Sequence, residues 1–291
     1  MKQLPAETVI QVLGLLSKRD LKSVALVASR YSTLARSFLF RHIRLLFNTN
    51  VLPFWVCRIA ESPNHAPIIK IIEIGRHWNQ SCLEGVRNLV QSAVALEELL
   101  ILAPTRAIPL GLLDPAILPN LRKFAINANT NWDRLVVDFL SHCPKLVDLE
   151  VAISAERSGW HPGFDSTLQQ HAPFFMDRLH RFHGPPYFLN HMSKSDRVLQ
   201  HFSTSVELTD AEVSLIGKDL GFGQELLSFH LIIAQDPFGS DSDWMERHCI
   251  TPSIVPSLFP NLRSVAWFLV HRLLREQNVV GVITPICSPA S

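Results

Sequence analysis

The chain has 291 residues, with 47% apolar residues, 18% charged residues and a formal net charge of +1 at pH 7. That length suits one large domain or two modest ones, and the apolar share excludes a mainly disordered chain. Near-neutrality gives no field that would favour nucleic acid or an anionic membrane.

The first residues, Met1-Lys2-Gln3-Leu4-Pro5, carry no apolar core of signal-peptide length. No stretch reaches the roughly 18 apolar residues that span a bilayer. The longest candidate, Val265 to Val270, has the length of a buried strand. These features point to a cytoplasmic or nuclear protein without a membrane partner. The five cysteines, Cys57, Cys82, Cys143, Cys249 and Cys287, are far apart and form no C-x-x-C pair. In a reducing compartment they are expected as buried free thiols.

The first segment opens with Leu4-Pro5-Ala6-Glu7. Pro5 suits the first helical position, where a missing N–H costs nothing. Glu7 places a negative charge in the first turn. Val9, Leu13 and Leu16 recur at helical spacing, with Ile10 and Val12 beside them. Ser17-Lys18-Arg19 breaks the pattern, and Asp20 is then expected to cap a second helix. Leu21, Val24, Ala25 and Ala28 line one face of that helix. Leu34, Ala35, Phe38 and Leu39 follow as a third apolar set. Arg41-His42-Ile43-Arg44-Leu45 alternates like a short strand. Three short helices bury too little surface to stand alone, so this module should lean on a neighbour or a partner.

Leu-Pro-x-Glu, an apolar helix, a turn, Asp-Leu, then Val-x-x-Arg-Tyr-x-x-Leu-Ala is similar to the F-box pattern. The matching positions run from Leu4, Pro5 and Glu7 through Ile10, Leu13 and Leu16 to Asp20 and Leu21. They continue through Val24, Val27, Arg30, Tyr31, Leu34 and Ala35. Tyr31 stands where many family members carry Trp. Phe40 and Ile43 resemble the family's closing aromatic and apolar positions. The resemblance implies docking onto the Skp-type adaptor of a ubiquitin ligase, and through it onto a cullin. Leu4, Pro5, Ile10, Leu13 and Leu21 are the residues expected to insert into the adaptor's helical surface. The alternative is that the same side chains form the core of a helical cap, and periodicity does not separate the two.

Beyond residue 45 a six-residue template returns: apolar-x-x-apolar-x-apolar. It fits the segments that begin at Ile69, Leu96, Leu121, Leu146, Leu226 and Leu262. The first three intervals are 27, 25 and 25 residues (69 to 96, 96 to 121, 121 to 146). They fall in the range of leucine-rich repeats. The interval from 146 to 226 is 80 residues, with room for about three repeats at that period. Leu179-His180-Arg181-Phe182 and Leu199-Gln200-His201-Phe202 are weak candidates for the missing copies. The last interval, 226 to 262, implies an insertion. Pro119-Asn120, Pro144-Lys145 and Pro260-Asn261 lead into three of the copies, where a proline ends the helix before the strand. Helical faces precede the copies at Leu96 and Leu146: Leu83, Val86, Leu89 and Val90, then Leu135, Val136, Phe139 and Leu140. The usual Asn of the repeat's strand turn is absent from most copies.

The expected fold is therefore an α/β repeat. A short three-helix F-box (1–45) leads through a linker or first solenoid helix (46–66) into a degenerate leucine-rich-repeat domain (67–270). That solenoid would carry parallel strands on one side and helices on the other. The tail, 271–291, holds Val279 to Ile283 as a possible last strand and no polar cap.

Two stretches read as loops with aromatic side chains. Trp160 and Phe164 lie in one, Phe238 and Trp244 in the other. They are candidate substrate contacts, or else rings folded back over the solenoid's rim. No phosphate-binding glycine loop, G-x-S-x-G elbow or H-E-x-x-H motif occurs. The thirteen histidines have no zinc-like spacing, and Asp236, Asp241 and Asp243 lack the rest of an EF-hand. The expectation is a protein that is not an enzyme and has no catalytic residue, metal or cofactor. It would join an unknown protein substrate to an SCF-type (Skp–cullin–F-box) ubiquitin ligase. A repeat scaffold without a role in ubiquitin transfer is the alternative.

Overall fold

The computed structural model describes residues 5–27, 29–45, 54–75, 80–102, 112–113, 118–128, 139–153, 178–184, 199–204, 213–219, 226–235, 254–271 and 280–284. Three helices come first: α1 (Ala6–Leu15), α2 (Lys18–Val27) and α3 (Ser29–Phe40). Strand β1 (His42–Leu45) follows directly. Helix α4 (Phe54–Ala60) precedes β2 (Ile71–Ile74), and α5 (Gln80–Ser92) precedes β3 (Glu98–Ile101). Then come β4 (Lys123–Ala128), β5 (Asp148–Ile153), β6 (Arg181–His183), β7 (His201–Thr204) and β8 (Ser228–Gln235). A short helix, α6 (Ile254–Leu258), leads into β9 (Ser264–His271), and β10 (Val280–Thr284) ends the set.

The ten strands form one sheet in sequence order. β1 to β9 are parallel throughout. The expected α/β arrangement, parallel strands with helical segments in the connections, is present. One strand departs from it: β10 runs antiparallel to β9. The physical reason is length. Residues 272–279 join the two strands, and a parallel return needs a crossover of about a dozen residues or more.

The template's first, fourth and sixth positions point inward. Ile43, Ile72, Leu99, Phe124, Leu149, Phe182, Phe202 and Phe229 stand side by side across the sheet, one per strand. All are buried. Each full burial of such a side chain contributes about 1.5–3 kcal/mol. The turn before each strand is also shared. Ile69, Leu96, Leu121, Leu146 and Leu262 each donate a backbone N–H to the carbonyl three residues earlier. The three Pro-led turns behave as expected, and Val94-Ala95 makes the same turn without a proline.

A second repeating unit lies in the backbone. The carbonyl of Arg41 accepts the N–H groups of both Lys70 and Ile71, at 2.9 and 3.0 Å. The same double acceptance recurs at Lys70, Glu97, Arg122, Val147, His180, Gln200 and Leu227. Each strand thus starts one step behind a shared carbonyl, which fixes register at every junction.

Two strands, β6 and β7, lie between β5 and β8, so the 80 residues from 146 to 226 hold three repeats, as the period allowed. β5 pairs with β6, β6 with β7 and β7 with β8. The intervals are uneven: 33 from Leu146 to Leu179, 20 to Leu199 and 27 to Leu226. The core changes here too. The sixth inward position shrinks to Gly184 and Thr204, and the fourth becomes phenylalanine. A Cβ on Gly184 would lie 2.7 Å from the Phe182 ring, so the ring fills the space that a side chain at 184 would take. Phe182, Phe202, Phe229 and Phe259 stack in series with centroids 6.0, 5.5 and 5.7 Å apart.

Two apolar cores result. Val9, Leu13, Leu21 and Ala35 form the smaller, with Leu16, Val24, Ala25, Tyr31, Leu34, Phe38 and Leu39 packed around them. Phe40 packs against the sheet's core instead, as Ala60 of α4 does. The changeover falls between Leu39 and Phe40. β1, placed in the helical segment by the sequence, is the first strand of the sheet.

Candidate functional site

Two surfaces hold the chemistry that the described residues offer. The first is the helical module. Val9 donates its N–H to the carbonyl of Pro5, so Pro5 stands just ahead of α1 and not inside it. α2 begins at Lys18, and Ser17 takes the capping role expected of Asp20. The Asp20 N–H donates to Ser17 Oγ at 3.2 Å, and that hydroxyl donates to Asp20 Oδ2 at 2.6 Å. A hydroxyl three residues before an orphan N–H satisfies it directly.

The five residues expected at an adaptor contact separate. Pro5 is exposed. Ile10 is 44% exposed, and Val12 (48%), Leu15 (88%) and Leu26 (85%) join it as large apolar side chains facing solvent. Leu13 and Leu21 are the correction: at 4% and 5% exposure they hold the helices to each other and present nothing outward. The reason is helical geometry. Val9 and Leu13 form the inward stripe of α1, with Leu16 packed beside them just past its end, which leaves Ile10 on one flank and Val12 and Leu15 on the other. Leu4 lies outside the described residues.

The second surface is the outward face of the sheet, made by the template's second, third and fifth positions. Ion pairs run across its first half. Arg44 Nε donates to Glu73 Oε2 at 2.6 Å, and that carboxylate is largely buried. Lys70 pairs with Glu97, and Lys123 lies 3.8 Å from Asp148. The hydrogen bond from Lys70 holds the Glu97 carboxyl below its ordinary range. His42 lies 3.6 Å from Glu73, too far for a hydrogen bond, and its Nε2 is buried without another partner among the described residues. Burial, then the nearby Lys18 charge, favours its neutral form. Lys18 belongs to α2, so the helical module and the sheet meet electrically at this point.

The other half of the face, β6 to β9, carries histidine and serine. His183 Nδ1 and Ser203 Oγ are 2.6 Å apart, and Ser228 Oγ is 2.8 Å from His230 Nε2. Burial lowers the pKa of His183, His201 and His230 from the ordinary value of 6.5. Sequence spacing alone does not bring these residues together, because they come from successive strands. Aligning the copies on their inward positions does, since their third and fifth positions read His or Ser from β7 to β8.

No cluster of three His, Cys, Asp or Glu able to hold a metal occurs among the described residues. Cys57 and Cys143 are free thiols. The buried Cys143 donates to the Phe139 carbonyl at 3.4 Å, and burial pushes its thiol up to about 12. Trp160, Phe164, Phe238 and Trp244 lie outside the described residues. No described helix is long and apolar enough to cross a membrane. Neither protein-family models nor the curated proteins include a match to this chain.

Proposed function

We propose that the chain is a substrate receptor of an SCF-type ubiquitin ligase. In this reading α1 to α3 are an F-box that docks a Skp-type adaptor, which links to a cullin. The strands from β1 onward form an irregular leucine-rich-repeat solenoid that binds a target protein. The observation that carries the proposal is the exposure of Ile10, Val12, Leu15 and Leu26 on a module that already has its own core. Large apolar side chains left outside a filled core favour a protein partner. The receptor needs no catalytic group, since transfer belongs to another subunit. The contact set follows from exposure: Pro5, Ile10, Val12, Leu15 and Leu26.

The test is proximity labelling around the full chain, with and without proteasome inhibition, for wild type and a Leu15→Asp/Leu26→Asp variant. The expected result is a target that accumulates under inhibition with wild type, alongside the adaptor. The variant should lose the adaptor and keep the target. Identical partner sets for both chains would refute the docking role.

A further inference from the structure

The described segments 178–184, 199–204, 226–235 and 262–271 contain no Asp or Glu. Their outward positions hold Arg181, Arg263, His180, His183, His201 and His230. Arg181 and Arg263 are exposed and form no ion pair among the described residues. Beside β1 to β5, by contrast, Arg44, Lys70 and Lys123 are each paired with a carboxylate on a neighbouring strand, while Arg41 and Arg122 are exposed without an ion pair among the described residues. Among the described residues, carboxylates lie on the first half of the face, up to Asp148 and Glu150 on β5, and the strands beyond carry none.

We propose that the outward face of β6 to β9 docks an acidic segment of a protein partner. The inference rests on the receptor role above for what that segment is, a piece of the target. Arg181 and Arg263 supply fixed positive charge. His183, His201 and His230, with Ser203 and Ser228, supply hydrogen-bond donors from adjacent strands to carboxylate oxygens. Asp148 and Glu150 on β5 stand in register with Arg181 and His183. They repel an acidic chain and set the edge of its footprint.

Nucleic acid fits the same face less well. Its binders neutralise many phosphates, and this face offers two guanidiniums in a chain of net charge +1. Charge complementarity therefore favours a peptide with a few carboxylates.

The neighbours of each histidine define the pH behaviour. Asp148 and Glu150 face His183 from β5, and Ser203 faces it from β7. Arg181 and His180 face His201 from the β6 side, with Asp148 beyond them. His201 faces His230. Burial favours the neutral ring at all three; Arg181 and His180 add to it at His201 and His201 adds to it at His230, while Asp148 and Glu150 oppose it at His183. An incoming carboxylate reverses that balance, so binding takes up protons and strengthens as pH falls.

The experiment is fluorescence anisotropy with the purified full chain. The probes are a short labelled Glu-Gly peptide, its Gln-Gly counterpart and an oligothymidylate. The acidic peptide should bind at least about tenfold more tightly than the uncharged one, and more tightly at about pH 6 than at about pH 7.5. Arg181→Gln/Arg263→Gln should weaken it by about tenfold or more, with circular dichroism unchanged. Leu15→Asp/Leu26→Asp should leave peptide binding intact, and a wild-type chain that binds the acidic peptide but no adaptor would count against the receptor role and not against this face. Equal affinity for the two peptides, indifference to Arg181→Gln/Arg263→Gln, or tighter binding of the oligothymidylate would overturn the proposal.

Discussion

Replacing Phe202 by alanine tests the sheet where its strands are most unevenly spaced. Phe202 is buried at the middle of the aromatic stack, 6.0 Å from the Phe182 ring and 5.5 Å from the Phe229 ring. Removing a buried phenylalanine side chain costs about 3–5 kcal/mol through lost transfer energy and the cavity that remains. The two ring pairs each account for about 0.5–1.5 kcal/mol beyond area burial, which places Phe202→Ala toward the upper end. Phe202→Leu keeps most of the volume and should cost about half as much. Urea unfolding of the full chain, followed by circular dichroism, measures the loss. Combining Phe202→Ala with Phe229→Ala should cost less than the sum, because the second change removes a contact already lost. A loss below about 1 kcal/mol for Phe202→Ala would contradict a buried, doubly stacked ring. So would strict additivity of the pair.

Three other outcomes follow from the packing and protonation described above. Gly184→Ala forces a Cβ to within 2.7 Å of the Phe182 ring and should lower the urea midpoint by about 1–3 kcal/mol equivalent; an unchanged midpoint would mean that the ring has room to move. Stability should fall as pH drops from about 7 through 6.5 and below. The folded state lowers the pKa of His183, His201 and His230, so the unfolded chain binds more protons in that window. His183→Gln should flatten the slope, and a midpoint that rises on acidification would refute the sign. Cys143, with its thiol pushed up to about 12, should resist alkylation near neutral pH until the chain unfolds, while the half-buried Cys57 reacts first; mass mapping after a brief maleimide pulse separates the two sites.

The inward ladder was legible in the sequence because its three apolar positions recur with intact spacing in six segments. The copies at β6 and β7 were faint for a physical reason. Their sixth positions are Gly184 and Thr204 in place of a large apolar residue, and at β6 the Phe182 ring fills the space a side chain at 184 would take. β1 carries the same pattern, Phe40-x-x-Ile43-x-Leu45, yet it read as the end of the helical segment because the helices run straight into it. On α1 and α2 the period named the apolar residues without saying which face looks outward. Leu13 and Leu21 went into the core, and Leu15 and Leu26 stayed out. The histidine and serine face was not legible, because its neighbours lie 20 and 27 residues apart (183 to 203, 203 to 230) and meet only through strand register.

Direct binding between the purified chain and a Skp-type adaptor, measured by titration calorimetry, tests the central claim. The account predicts a stable complex with wild type and a loss of at least about tenfold in affinity with Leu15→Asp/Leu26→Asp, which alters exposed side chains and leaves the core intact. No heat of binding with wild type, or equal affinity for both chains, would contradict it.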